Sequence, residues 1–157
     1  MELRIREATS GDIAAMHAIR LAVRENRLSD PAWLTAEVYL ACLADSGAAN
    51  TWVCETTLGI VGFASARRAQ QDIWALFVDP LQEGCGIGGL LLDAATGWLF
   101  AHGVEAVQLG TTPGTRADEF YRRKGWQRGE TTEKNEMIYR LPHSAACVQT
   151  NQENQTC

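Results

Sequence analysis

The chain of 157 residues has no excess of positive charge: 14 Lys and Arg face 19 Asp and Glu, a net charge of −5. That excludes a general nucleic-acid binder, which needs a basic patch to meet phosphates. No apolar run reaches the ~20 residues that a membrane span needs, so no membrane association is expected. The opening Met1-Glu2-Leu3-Arg4-Ile5-Arg6 has no apolar leader, and the expected location is cytoplasmic. Paired cysteines are missing too. Cys42, Cys54, Cys85, Cys147 and Cys157 are odd in number, widely spaced and without a C-x-x-C pair. Neither a disulfide framework nor a metal site is expected, and a reducing compartment fits.

What is present reads as an alternation of helices and strands in one domain over residues 1–142, followed by a polar, flexible tail over 143–157. Residues 3–7 alternate apolar and charged side chains, as a half-buried strand does. Thr9-Ser10-Gly11-Asp12 has capping-box spacing and opens a helix to about Arg24, with Ile13, Met16, Ile19 and Val23 on one face. Ser29-Asp30-Pro31 places a cap before a first-turn proline, so a second helix is expected over 31–44. Strands follow over 51–56, 60–67 and 72–78. The third is apolar throughout, which suits a central strand. A helix over 86–102, a strand over 104–110, a short helix from Thr115 to Lys124, and strands over 126–130 and 136–141 complete the order. Strand, helix, strand implies a right-handed crossover and two parallel neighbours.

Gly84-Cys85-Gly86-Ile87-Gly88-Gly89 is the most informative segment. Four glycines remove side chains where a backbone approaches something closely. The helix that begins there offers unpaired N–H groups and the positive end of its dipole. That is an anion site suited to a phosphate or diphosphate. The segment formally fits the dinucleotide pattern G-x-G-x-x-G. Against that reading, residues 79–83 separate it from the strand and only one further parallel strand follows. A triphosphatase loop is excluded because no Lys-Ser/Thr pair closes the turn. Cys85 reads as a small turn residue.

Val78-Asp79-Pro80, then Glu83-Gly84-Cys85-Gly86-Ile87-Gly88, then Leu90-Leu91, resembles the acetyl-CoA motif of the GNAT superfamily of N-acetyltransferases. The segment Pro113-Gly114-Thr115-Arg116-Ala117-Asp118-Glu119-Phe120-Tyr121-Arg122-Arg123-Lys124-Gly125-Trp126 resembles that family's next motif. The resemblance implies an α/β (α+β) fold with a mixed, largely antiparallel central sheet. One parallel strand pair and helices on both faces belong to it. It further implies that backbone groups of Leu76, Phe77 and Val78 pair with the pantetheine arm of acetyl-CoA. The main chain of Glu83, Gly84, Cys85, Gly86, Ile87, Gly88 and Gly89 would hold the diphosphate, with Arg116 as an added contact. Tyr121 stands where the family often has the general acid that protonates the leaving thiolate. Two positions depart from the family pattern: Glu83, where Gln or Arg is usual, and Gly114, where Asn is frequent. A carboxylate beside a diphosphate is unfavourable unless it turns to solvent or caps the helix.

The implied activity is acetyl transfer from acetyl-CoA to a primary amine by direct attack through a tetrahedral intermediate. The acceptor is a small molecule or peptide, and the resemblance is compatible with a homodimer. Such chemistry needs a neutral amine, an oxyanion donor and a proton for sulfur. A strand N–H at Leu76 or Phe77 suits the second need. No base is evident, so a water route is expected. Arg27 and Trp33, between the first two helices, are the acceptor-side candidates. His17, Trp52, Trp74, Trp98 and Trp126 read as packing. A non-catalytic acyl-CoA binding or sensing module and a dinucleotide-binding domain remain open alternatives at this point.

Overall fold

Seven strands form one sheet in the order β1-β2-β3-β4-β5-β7-β6. The computed structural model describes residues 2–28 and 30–144. Along the chain these give β1 (Arg4–Glu7), α1 (Ile13–Ala22), α2 (Ala36–Leu40), β2 (Ala49–Thr56), β3 (Gly59–Arg67) and β4 (Asp72–Val78). Then come α3 (Ile87–Ala101), β5 (Ala106–Thr111), α4 (Arg116–Arg123), β6 (Gln127–Thr131) and β7 (Met137–Pro142). Every neighbouring pair is antiparallel except β4 and β5. The mixed, largely antiparallel sheet with one parallel pair is as expected. Residues 145–157, most of the expected tail, lie outside the described residues, as does Ser29.

Each face of the sheet carries its own core. On one, α3 lays Ile87, Leu91, Ala95 and Leu99 against Cys54, Val61 and Ala64 of β2 and β3. Gly62 permits that approach, because a Cβ there would lie 3.0 Å from the Leu91 side chain and 3.1 Å from the Phe77 carbonyl oxygen. On the other face, Met16 and Ile19 of α1 and Tyr39 of α2 cover Val53, Phe63 and Ala75.

Local signals set the helix starts. Asp12 accepts from Thr9 N at 2.8 Å and takes both terminal nitrogens of Arg6, at 2.8 and 2.9 Å, fastening the start of α1 to β1. The Arg6 guanidinium holds the Asp12 carboxyl down at about 2. The expected helix over 31–44 is instead a 3-10 turn, Pro31–Trp33, followed by the short α2. Leu34 turns inward, and its backbone leaves the helical region at φ −86°, ψ 78°. Burial of one leucine thus overrides a continuous local helix signal. Likewise α1 ends at Ala22 because Val23 is extended, ψ 142°.

One irregularity positions the site. Ser65 pairs with Ala75 and Ala66 with Ile73, so Trp74 is an extra residue in β4, a β-bulge. Bulges increase strand twist and bend the strand. The parallel pairing of β4 with β5 is confined to Asp72 opposite Gln108, next to this bulge. Beyond it the two strands part, and a cleft opens between residues 74–78 and 109–112.

Candidate active site

The β4 wall of the cleft is a row of backbone groups. Asp79 N donates to Val61 O at 2.8 Å, fixing which residues of β4 bond to β3. Strand alternation then turns the N–H and C=O of Phe77 toward β3, and those of Leu76 and Val78 toward the cleft. The three residues expected to offer backbone to a cofactor therefore differ in where their main chain points. Leu76 and Val78 present main chain, whereas Phe77 presents its ring to the cavity wall.

At the end of β4, Asp79 caps a 3-10 turn, Pro80–Gln82, by accepting from Leu81 N at 3.0 Å. The chain then enters the glycine turn. Gly84 and Gly86 have φ of +82° and +81°, a region that L side chains avoid. The Gly86 turn aims the next amides outward as α3 starts. The first α3 bond that involves this turn is Leu90 N to Gly86 O, at 3.3 Å. The N–H groups of residues 86–89 precede it and have no acceptor among the described residues. Gly88 sits under the Phe120 ring, with a Cβ position 3.6 Å from it, so only backbone lies at that surface. Cys85 is exposed, as expected of a turn residue.

The Glu83 departure has a local answer. Its carboxylate accepts from Arg116 Nη1 at 2.5 Å, joining the glycine turn to the start of α4. Arg116 is thus turned to Glu83 and neutralises it. Both side chains are largely in water, so the pair contributes little to stability.

Tyr121 and Tyr139 show two uses of one side chain. Tyr139 is fully buried, and its hydroxyl donates to the Asp118 carbonyl at 2.8 Å and to the Asp118 carboxylate. Asp118 also accepts from Gly114 N at 2.8 Å and from Arg128, and these partners hold its carboxyl well below the usual carboxylate range. The N-cap Thr115 takes Asp118 N at 3.2 Å. Thr115 and Asp118 thus form half of a capping box, because the Asp118 carboxylate goes to Gly114 N rather than to Thr115 N. This lattice fixes the start of α4. Tyr121, one turn later, packs against Trp126 and Tyr139. Its hydroxyl has no partner among the described residues, and the ring lines the cavity. Burial pushes its phenol up from the ordinary value near 10, so it stays protonated.

The cavity between the strands has a volume of about 470 Å³. Arg27 and Trp33 both stand on its wall, as does Trp74, read from the sequence as packing alone. Trp74 does both, since it also packs on the α1–α2 core. His17 bonds to the Tyr39 hydroxyl at 3.0 Å and is a packed residue, as expected.

Two further features shape the α1 side of the cleft. Arg20 of α1 lies over the Phe77 ring, 4.1 Å from its centre, and lines the cavity. The sequence held a signal for it: Met16, Arg20 and Val23 share one helix face, so a cation stands on an apolar stripe. Asn26, at φ +55°, accepts from Thr112 N at 2.8 Å and ties the loop after α1 to the end of β5. Its neighbour Glu25 accepts from Arg116 N at 2.8 Å, at the start of α4. Nothing in the polar run Arg24-Glu25-Asn26-Arg27 singled these two out.

Comparison with known proteins agrees with this geometry. The fold is similar to that of the PaiA N-acetyltransferase of Thermoplasma acidophilum, solved in complex with coenzyme A. The TM-score is 0.79 at 16% identity, over 91% of this chain and 100% of that one. An N-acetyltransferase of Staphylococcus aureus Mu50 gives 0.73 at 19% identity, over 90% and 99% of the two chains. The ribosomal-protein-S18-alanine N-acetyltransferase of Escherichia coli gives 0.70 at 16%, over 90% and 94%. No curated protein sequence matches the chain. At these identities the structures establish the fold alone. Residues 14–126, well over half of the chain, match the acetyltransferase (GNAT) family model, and the protein therefore belongs to the GNAT family of acetyltransferases.

Proposed function

We propose that the protein transfers an acetyl group from acetyl-CoA to a primary amine by direct attack. The observation that carries this reading is a juxtaposition. The β4 edge left unpaired beyond Asp72 runs from Leu76, on the cavity that Tyr121 lines, to Val78, whose side chain lies 3.9 Å from the Cβ position of Gly88 among the free amides of residues 86–89. The amides suit the diphosphate of CoA, since backbone donors at a helix start hold phosphate without a counter-ion. The β4 edge suits the pantetheine amides, as an added strand would.

The chemistry follows from the same groups. The amine nitrogen attacks the thioester carbonyl carbon, and the oxyanion accepts an N–H from Leu76 or Val78. As the C–S bond breaks, sulfur takes the proton of the Tyr121 hydroxyl. A thiol has an unperturbed pKa near ~8.5, below that of the phenol. The phenolate left behind is therefore short-lived and recovers a proton from the amine through water. Glu136, the single carboxylate on the cavity wall among the described residues, stands along that route.

Thiol release from acetyl-CoA over a panel of amines tests the reading. Tyr121→Phe should keep acetyl-CoA binding and lose turnover. A non-catalytic acyl-CoA module would show no turnover in either form. Quenching of tryptophan fluorescence by NAD rather than by acetyl-CoA would overturn the assignment altogether.

A further inference from the structure

On the α1 side of the cavity Arg20 rests on the Phe77 ring and meets no acid among the described residues. Arg20 Nη1 is buried and has no hydrogen-bond acceptor. No carboxylate reaches Arg20 among the described residues, and its charged neighbourhood is limited to Tyr39, whose phenol burial pushes up to about 12. A buried donor left unpaired is destabilising, more so when charged. An anionic ligand in the cavity would supply the acceptor that Arg20 lacks.

The rest of the wall has the same sign. Arg27 and Lys134 join Arg20, against Glu136 alone. A polyamine would place its extra cations against these residues. A guanidinium, by contrast, matches a planar carboxylate in two parallel hydrogen bonds. One inner guanidinium fits a monoanion better than a dianion. Nearby cations also favour the neutral form of the attacking amine, the form that the reaction needs.

From this geometry we infer that the acceptor is a small amine that also carries a carboxylate, as an amino acid does, with Arg20 as the group that binds it. The inference rests on the acetyltransferase reading of the same cavity. The carboxylate anchors at Arg20, over Phe77, while the amine points toward β5 and Glu136. The cavity volume of about 470 Å³ is shared with the acyl end of the cofactor, which keeps the acceptor small.

Matched pairs test this. Thiol release is measured with glycine against glycinamide, leucine against leucinamide, and with spermidine. The expected result is a preference of about tenfold or more in kcat/KM for the carboxylates, in line with one charge-assisted hydrogen-bond pair. Arg20→Gln should erase that preference, and Arg20→Lys should retain part of it, with acetyl-CoA affinity within about twofold of the parent. If Arg20→Gln fails to fold, the partial loss in Arg20→Lys decides the point. Binding is read separately, by the quenching of tryptophan fluorescence with N-acetylglycine and N-acetylleucine against their amides, in the presence of CoA. Preferential binding of the acids without any turnover supports the carboxylate site and overturns the transferase reading. Turnover with amides or spermidine favoured, or acids bound no better than amides, overturns the carboxylate site. An unchanged preference in Arg20→Gln assigns it elsewhere.

Discussion

The two sides of the cleft are built from different material. The β4–α3 side is main chain: the Leu76 and Val78 edge, two glycines at positive φ, and the free amides of residues 86–89. The α1 side is side chains: Arg20 from a helix, Arg27 and Trp33 from the loop after it, and Glu136 from just before β7. A backbone surface tolerates any sequence that keeps its glycines and its helix start. A side-chain surface changes identity with each residue. On the proposed function, the first would meet the cofactor and the second the acceptor.

The sharpest way to break this contrast is at the group that faces both sides. Tyr121→Phe should lower kcat roughly 100-fold with the acetyl-CoA KM unchanged, as steady-state thiol release will show. A fall in acetyl-CoA affinity instead would make Tyr121 a wall of the cofactor site. The α1 side also depends on how α1 is fastened. Asp12 is held near 2 against an ordinary 3.8 by Arg6. Because the folded value is the lower, this stability is complete above about pH 4 and is lost as pH falls toward 2. The shift corresponds to about 2 kcal/mol. Asp12→Asn should cost about that much at pH 7 and flatten acid unfolding between pH 4 and 2 by circular dichroism.

Smaller effects separate the sides more cleanly. Gly88 is helical, and an added Cβ meets only ordinary contact with Phe120. Gly88→Ala should therefore leave the melting temperature unchanged or slightly higher, while acetyl-CoA binding weakens about tenfold by calorimetry. Unaltered binding would refute the close approach of the diphosphate. Asn26→Gly keeps the left-handed backbone and removes the bond to Thr112. It should cost about 1 kcal/mol and raise the acceptor KM several-fold without changing the acetyl-CoA KM. The smallest change belongs to Glu83→Gln. With Arg116 already neutralising the carboxylate, CoA affinity should rise by no more than about twofold.

The backbone side was legible because its cause is local. Glycines at 84, 86, 88 and 89 between an apolar strand and an amphipathic helix dictate a turn with free amides wherever the chain folds that way. Even there, strand register decided that Leu76 and Val78 turn main chain to the cleft while the main chain of Phe77 turns to β3. The α1 side was far less legible. Arg27 and Trp33 were placed on it by position in the chain. Arg20, Asn26 and Trp74 were not, since each acts through residues distant in sequence.

By itself the sequence determined the order of helices and strands, the crossover that makes β4 and β5 parallel, and the glycine turn. These follow from hydrophobic period, caps and φ preference, all of which act over a few residues. The tertiary structure alone decided that a bulge at Trp74 ends the β4–β5 pairing, that Leu34 breaks the second helix, and that Arg20 meets the cavity without an acid. Each of these depends on what a distant segment places opposite. Long-range burial and charge pairing leave no periodic trace in one chain.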